Sequence, residues 1–169
     1  MKIALYPGTF DPVTKGHLDI ITRGSKLFDK VVVAVARGTF KSPLFDLNER
    51  MELLRLVCKS ESIENLEVIG YERELTVNIM RKYEAIVLLR GLRSPSDFEY
   101  ELQLASMNRL MEPDYDSVFL PPKDTFSCIS STLVREIASL NGDLTPFVHP
   151  AVAQALKDKF RSQKGTKAS

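Results

Sequence analysis

Val31-Val32-Val33-Ala34-Val35-Ala36 is the stretch that decides how this 169-residue chain folds. Six apolar residues, four of them β-branched, follow one another with no polar interruption. A strand with one face in water alternates apolar and polar residues, whereas an unbroken run marks a strand buried on both faces, as in parallel sheets covered by helices. Ile3-Ala4-Leu5 lies before it, and Leu66-Glu67-Val68-Ile69, Ala85-Ile86-Val87-Leu88-Leu89 and Ser117-Val118-Phe119-Leu120 lie after it. Helical spacing fills the intervals. Over residues 16–28 apolar side chains recur at Leu18, Ile21 and Leu27/Phe28. Asp46 and Glu49 form a capping pair ahead of Leu47, Met51, Leu54 and Cys58. Ser94-Pro95 reads as N-cap and first residue of a helix running to about Leu110. Residues 131–140 form another, stopped by Asn141-Gly142. Pro150 opens a last helix reaching about Phe160. The expectation is an α/β fold: a five-stranded parallel sheet with flanking helices and right-handed crossovers, one domain over residues 1–160, with 161–169 a frayed polar, basic tail. In such sheets ligands bind at the carboxyl ends of the strands, so the residues after Leu5, Ala36, Leu89 and Leu120 should meet at one crevice.

Composition narrows the functional classes. With 44% hydrophobic residues the chain has material for a proper core, which excludes disorder of the whole. Lys and Arg number 23 against 22 Asp and Glu, without the large positive excess of a protein that coats nucleic acid. The charge is unevenly placed: residues 157–169 carry a net +4 and residues 1–156 a net −3. An anion site in the body must therefore be built by placement. No apolar run approaches the ~20 residues of a membrane span, and Tyr6-Pro7-Gly8 comes too early for a signal-peptide core. Cys58 and Cys128, 70 positions apart, form no disulfide framework; with His17 and His149 they make no zinc spacing, and no metal ligands are read. A reduced cytoplasmic setting is expected. Neither a Walker A loop nor GxGxxG is present.

Three segments carry chemistry. The first follows strand one: Tyr6-Pro7-Gly8-Thr9-Phe10-Asp11-Pro12-Val13-Thr14-Lys15-Gly16-His17. Its helix begins near Gly16, and a helix N-terminus offers unpaired N–H groups and a positive dipole end to phosphate. On residue type alone, a histidine there reads as a surface or capping residue; in this string it also suits hydrogen bonding to an anion. The second, Ile129-Ser130-Ser131-Thr132-Leu133-Val134-Arg135, presents hydroxyls at another helix start, where plain capping is the alternative. The third is Arg90-Gly91-Leu92-Arg93 with Asp97-Phe98-Glu99-Tyr100-Glu101. Two cations flank a glycine at a strand end, where the strand-end rule favours binding. Asp97 and Glu101, one helical turn apart, repel mildly unless a cation or ligand hydroxyl lies between them, and ribose or Arg93 could serve.

Thr14-Lys15-Gly16-His17 resembles the (T/H)xGH signature of the nucleotidyltransferase superfamily, and residues 129–135 resemble its I-S-S-(S/T)-x-x-(R/K) motif. With the third segment, residues 1–160 look like bacterial-type phosphopantetheine adenylyltransferase. That resemblance implies a dinucleotide-binding, Rossmann-like nucleotidyltransferase fold in a homo-oligomer, commonly a hexamer. It implies transfer of the adenylyl group of ATP to 4′-phosphopantetheine, giving dephospho-coenzyme A and pyrophosphate, the penultimate step of coenzyme A biosynthesis. It also implies Mg²⁺ bound mainly through the ATP phosphates, and feedback by coenzyme A. Carried over by position, His17 would stabilise charge on the reacting α-phosphate, with Lys41 and Arg90 as further catalytic residues. Thr9, Lys41, Thr76 and Arg90 would hold the acceptor. Thr9, Phe10, His17, Gly91, Leu92, Arg93 and Glu101 would contact ATP, and Phe126, Ser127, Cys128, Ile129, Ser130, Ser131 and Thr132 would wrap its adenine and polyphosphate. Phe126 departs from the tryptophan or tyrosine often found there, keeping the flat ring and losing the polar handle.

The residue types fit that chemistry. A phosphate monoester has a second pKa of about 6 and is already largely dianionic at neutral pH, so no general base is required. What remains is positioning two polyanions and offsetting charge on the α-phosphoryl oxygens. A different nucleotidyltransferase, acting on nicotinate mononucleotide or making a cytidylyl ester, is the alternative within the class. A non-catalytic nucleotide-binding regulator and a nucleic-acid-binding role for the basic tail lie outside it.

Overall fold

The computed structural model describes residues 1–38, 43–93 and 95–166. Five parallel strands, β1 (Ile3–Gly8), β2 (Lys30–Ala36), β3 (Leu66–Tyr71), β4 (Val87–Gly91) and β5 (Asp116–Leu120), form one sheet in the order β3-β2-β1-β4-β5. Connecting and flanking them are α1 (Lys15–Leu27), α2 (Leu47–Ser60), α3 (Thr76–Lys82), α4 (Pro95–Met111), α5 (Ser131–Ser139) and α6 (Pro150–Thr166). The expected α/β architecture is the observed one. Val31 to Val35 are completely buried, as their unalternated sequence requires. One face of the sheet (Ala4, Tyr6, Val31, Val33, Val35, Leu89) packs on α1, α2, α5 and α6 through Ile20, Ile21, Leu54, Val57, Val134 and Val152. The other face (Ile3, Leu5, Val32, Ala34, Leu88) has a thinner cover, chiefly Ile79 and Met80 of α3.

Local signals explain most helix ends. The Asp46–Glu49 capping box is present, with Glu49 N donating to Asp46 at 2.9 Å and Asp46 N to Glu49 at 2.7 Å. At the end of α5, Asn141 takes the left-handed conformation (φ 59°) and Gly142 N–H closes on Ile137 O at 2.9 Å. The N-cap expected at Ser94 lies outside the described residues. Three features depart from the sequence reading. Helix α3 lacked a signal: it is seven residues long, and Leu75 at its N-cap makes no side-chain capping bond. Strands β1, β3 and β4 end two or three residues beyond their apolar runs, and β4 starts two residues late, because pairing rather than hydropathy ends a strand: Arg90 and Gly91 register with Phe119 and Leu120. Helix α6 continues through Thr166, past the predicted start of a frayed tail. Arg161, Ser162 and Gln163 have no apolar stripe, and Ser162 Oγ donates to Lys159 O at 2.8 Å. No helix among the described residues is long and apolar enough to cross a membrane.

The crevice originates in the central pair. Beside β2, strand β1 stays in register to Gly8↔Val35, but beside β4 its pairing stops at Leu5↔Leu88. Chain order also reverses between β1 and β4, the switch point of this topology. Tyr6 and Pro7 therefore border a widening gap.

Candidate active site

Above that gap lies a cleft of about 480 Å³. It is built first by a turn. After Gly8 the chain enters Thr9 and Phe10, and Phe10 takes a positive φ of 49°, which buries its ring between Tyr6 and His17. Ring centroids stand 5.4 Å from Tyr6 and 5.0 Å from His17, both edge to face. A side chain on Gly8 would place Cβ 2.9 Å from the Phe10 ring, so glycine there is a packing requirement. The Asp11–Pro12 peptide is cis.

His17 combines the two readings of its sequence position. Thr14 is the N-cap of α1, and His17 stands where a capping box normally has a Glu or Gln. Its backbone N–H donates to Thr14 Oγ1 at 3.4 Å, and the Thr14 N–H donates to its Nδ1 at 3.1 Å. An Nδ1 that accepts must be unprotonated, so the ring hydrogen of the neutral form is on Nε2. Burial, with a smaller contribution from the Arg93 charge, lowers the His17 pKa from 6.5 to about 4. The result is a neutral imidazole at a helix N-terminus, oriented by its own cap, with Nε2–H as the donor left for the cleft.

Cations ring the cleft, and each of the four arginines lining it is paired. Arg90, at the end of β4, donates from Nε to Glu101 at 2.7 Å and from a terminal nitrogen to the other Glu101 oxygen. Its remaining terminal nitrogen reaches Pro7 O at 3.1 Å, across the gap between β1 and β4. Arg90's pKa is raised: burial pulls it down, but the hydrogen bond and charge of Glu101 outweigh this. Arg93 pairs with Asp97 at 3.3 Å and contacts Ile129 O at 3.4 Å. Arg37 pairs with Glu72 at 2.6 Å. Arg135 bonds the Asp11 carbonyl and lies 3.5 Å from the Asp11 carboxylate. The repulsion expected between Asp97 and Glu101 is thus relieved by two arginines, and Glu101's partner is Arg90 rather than Arg93.

Behind the visible cations sits Arg50, a helix residue with no accessible surface. Its guanidinium donates to Thr9 O and Ala36 O at 2.7 Å and to Arg37 O and Asp46 O at 3.1 Å. It ties the loop after β1, the end of β2 and the start of α2 together. Among the described residues no carboxylate lies within ion-pair distance of it. Asp11 complements this clamp, accepting from Leu44 N at 2.9 Å and Phe45 N at 3.0 Å.

Of the residues expected from sequence, Thr9, Phe10, His17, Arg90, Gly91, Arg93, Glu101, Ser130, Ser131 and Thr132 line this cleft. Lys41 lies outside the described residues. Thr76 opens α3 and lines a recess of about 80 Å³ that shares Pro7, Arg90 and Glu101 with the main cleft. Leu92, Phe126, Ser127, Cys128 and Ile129 do not line it. Leu92 N–H pairs with Leu120 O at 3.1 Å, continuing the ladder. Ile129 is buried, and Phe126 packs against the main core with its carbonyl accepting from Ile129 N–H. Ser127 and Cys128 are exposed, with Ser127 Oγ donating to Asp124 O at 2.8 Å. The hydroxyls of the second motif are partly structural: Ser130 Oγ caps Leu133 N at 3.2 Å, and Ser131 Oγ bonds Pro12 O at 2.8 Å. Helix geometry leaves the first-turn amides of Ser131 and Thr132 without a carbonyl inside α5. Sequence reasoning missed Tyr6, Arg37, Asp11 and Arg50, and gave Arg135 no role although it closes the quoted motif. Among the described residues no three His, Cys, Asp or Glu side chains converge as metal ligands.

The family model "Cytidylyltransferase-like" matches residues 5–137. Among solved structures, a Vibrio parahaemolyticus protein provisionally described as a nicotinate-nucleotide adenylyltransferase superposes with a TM-score of 0.71 at 20% identity, over 95% of this chain and 96% of that one. Nicotinic acid mononucleotide adenylyltransferase of Plasmodium falciparum, complexed with NaAD, gives 0.70 at 16% identity, over 93% and 95%. A bifunctional NMN adenylyltransferase/ADP ribose pyrophosphatase of Francisella tularensis, complexed with AMP and a Mn ion, gives 0.70 at 15%, over 93% of this chain and 48% of that one. At these identities the likeness is one of fold.

Proposed function

Because the chain belongs to the cytidylyltransferase-like family of the nucleotidyltransferase superfamily, we propose that it transfers the adenylyl group of MgATP to 4′-phosphopantetheine, releasing pyrophosphate and forming dephospho-coenzyme A. The observation that favours this acceptor is the recess beside Arg90. A slim chain carrying amide groups suits it: Thr76, Asn108 and Ser117 supply polar groups, Leu88, Leu104 and Ala105 supply aliphatic walls, and among the described residues no aromatic side chain lines it for a flat ring to stack on. The acceptor phosphate would sit at Arg90 and Lys41, with the arm running toward Thr76.

In the reaction, a dianionic phosphate oxygen of the acceptor attacks the α-phosphorus of ATP. A new P–O bond forms, the α–β bridging bond breaks, and pyrophosphate leaves with the electron pair. No proton need be removed from the nucleophile, whose second pKa is about 6. His17 Nε2–H and the first-turn amides of α1 and α5 offset the charge on the α-phosphoryl oxygens, while Arg93 and Arg135 steady the polyphosphate. Mg²⁺ enters with the nucleotide as part of the substrate. A homo-oligomer, a hexamer by resemblance, is supported by α4, which exposes Tyr100, Leu102, Met107 and Leu110 to solvent. A cytoplasmic setting and feedback by the product's downstream coenzyme, competing for the acceptor recess, complete the proposal.

A pyrophosphate-release assay with ATP and a panel of phosphate acceptors tests it. Phosphopantetheine should exceed nicotinate mononucleotide about 100-fold or more in kcat/KM, and comparable turnover of the two would overturn the acceptor assignment. His17→Ala should lose about 10²–10³ in kcat, in the range of removing one charge-stabilising donor, while retaining ATP binding. Unchanged kcat would remove His17 from the mechanism.

A further inference from the structure

We infer that Arg50 is a positioning residue for the transfer, holding the two turns that open the cleft, one after β1 and one after β2; this role rests on the proposed reaction. The β1–β2 register ends at Gly8↔Val35, and the next residues on the two strands are Thr9 and Ala36. One terminal nitrogen of Arg50 donates to both of their carbonyls at 2.7 Å, so a side chain bridges the strands where the backbone pairing stops. The other terminal nitrogen donates to Arg37 O at 3.1 Å, and Nε to Asp46 O at 3.1 Å within its own helix. Two of these contacts fall just before a left-handed residue: Phe10 follows Thr9 with φ 49°, and Gly38 follows Arg37 with φ 101°. Thr9, Phe10, Arg37 and Gly38 all line the cleft. Arg50 has no accessible surface, so it acts through these turns and not by touching a substrate.

The two turns differ in what they need. Glycine adopts a positive φ freely, whereas a phenylalanine does so only where its surroundings fix it. Phe10 has two restraints: its ring is enclosed between Tyr6 and His17, and the carbonyl before it is held by Arg50. Releasing that carbonyl lets the peptide rotate, and the ring that walls His17 moves with it. On the other strand, the grip on Arg37 O fixes where the turn at Gly38 begins. Asp11 fixes the return of that stretch through Leu44 N and Phe45 N, so both walls are referred to the loop after β1. Only a guanidinium does this: its three nitrogens lie in one plane, whereas lysine places all its donors on one atom. Arg90 and Arg93, which would hold phosphates, belong to the end of β4 and keep their own partners. A misplacement of about 1 Å between reacting groups can cost about 100-fold in rate, so loss of the clamp should appear in turnover rather than in nucleotide affinity.

Arg50→Lys tests this, since it keeps the buried charge and loses the fork. At a temperature where circular dichroism shows the variant fully folded, kcat for pyrophosphate release should fall about 10- to 100-fold. The dissociation constant for ATP, measured by calorimetry without acceptor, should stay within threefold. In proton NMR the His17 ring, assigned with His149→Gln, should titrate above its native midpoint of about 4 as the Phe10 ring moves away. Sucrose, which stabilises the fold without restoring the fork, should leave kcat low; recovery to the wild-type rate would make Arg50 a stabilising residue only and overturn the inference. Unchanged kcat, or a His17 titration identical to the wild type, would overturn it as well. Should Arg50→Lys not fold, Gly38→Ala leaves the clamp in place and strains only the second turn; its kcat should fall about tenfold or more, and an unchanged rate would refute the role of the turns. A wild type that turns over no acceptor overturns the transfer reading and this role with it, whereas a wild type that reacts beside an equally fast Arg50→Lys overturns this role alone.

Discussion

Replacing His17 by asparagine should flatten part of the acid limb of the stability profile. Asn Oδ1 can take over from Nδ1 as the acceptor for Thr14 N–H, so the capping box survives while the titrating ring is lost. In the native protein the histidine pKa is lowered from 6.5 to about 4, first by burial. As pH falls below 6.5 the unfolded chain binds this proton and the native one does not, so stability declines until about pH 4 is passed. Above 6.5 the ring is neutral in both states and contributes nothing to the slope. At pH 5 the loss amounts to about 2 kcal/mol, and well below pH 4 it levels off near ~3 kcal/mol. Urea unfolding followed by circular dichroism at pH 7.5 and 5.0 measures it. The wild type should lose about 2 kcal/mol more than His17→Asn between those values, every other titrating group being common to both proteins. Equal losses would refute a buried, neutral His17. The variant should separately be depressed in kcat at pH 7.5, since Nε2–H is gone.

Three further outcomes follow from the geometry. Gly8→Ala would drive a methyl to 2.9 Å from a Phe10 ring locked between Tyr6 and His17; a loss of about 1–3 kcal/mol in chemical denaturation is expected, together with lower kcat as the ring presses on His17. Gly16→Ala should do the opposite to stability: the nearest atom to its new methyl is Phe126 O at 3.5 Å, an ordinary contact, and helix propensity favours alanine by about 0.5–1 kcal/mol. If nucleotide approaches the backbone there, ATP affinity falls about tenfold in the same, more stable protein; unchanged affinity would place the phosphates elsewhere. Arg50→Met removes four side-chain hydrogen bonds to carbonyls, one of which, Asp46 O, keeps a donor in the N–H of residue 50, and should cost about 3–4 kcal/mol, read from the urea midpoint, at roughly 1 kcal/mol per hydrogen bond.

The fold was legible because its signals are local and redundant. Val31 to Ala36 could only be a doubly covered strand, and the Asp46–Glu49 and Asn141-Gly142 pairs fix helix ends through bonds within four or five residues. Helix α3 was invisible because seven residues make too short a period to read and its start carries no capping side chain. At the site, motif residues such as His17, Arg90 and Ser131 were legible by type and position, and the structure gathers them. Their partners were not. Arg50 stands in an amphipathic helix among charged neighbours and looks like any solvated arginine; its burial depends on the ends of two strands 14 and 41 residues away. The pairing of Glu101 with Arg90 rather than Arg93 was equally hidden, because reach across a strand end depends on side-chain direction that spacing does not encode. Ile129 was read with its motif neighbours, although its own apolar character directs it into the core.

The early end of the β1–β4 ladder bears on how such a protein changes over generations. Past Leu5↔Leu88 the two halves of the sheet share no pairing between these strands. His17, Thr9 and the capped start of α1 belong to one bank; Arg90, Glu101 and the recess of Thr76 belong largely to the other, with Arg90's bond to Pro7 O as a bridge between them. Under the proposed reaction, substitutions in the Thr76 recess away from Arg90 would reshape which acceptor is admitted with little effect on the turn around His17, because sites that share few partners combine their effects nearly independently. A seam in the sheet would thus let acceptor choice drift while the proposed transfer chemistry stays in place.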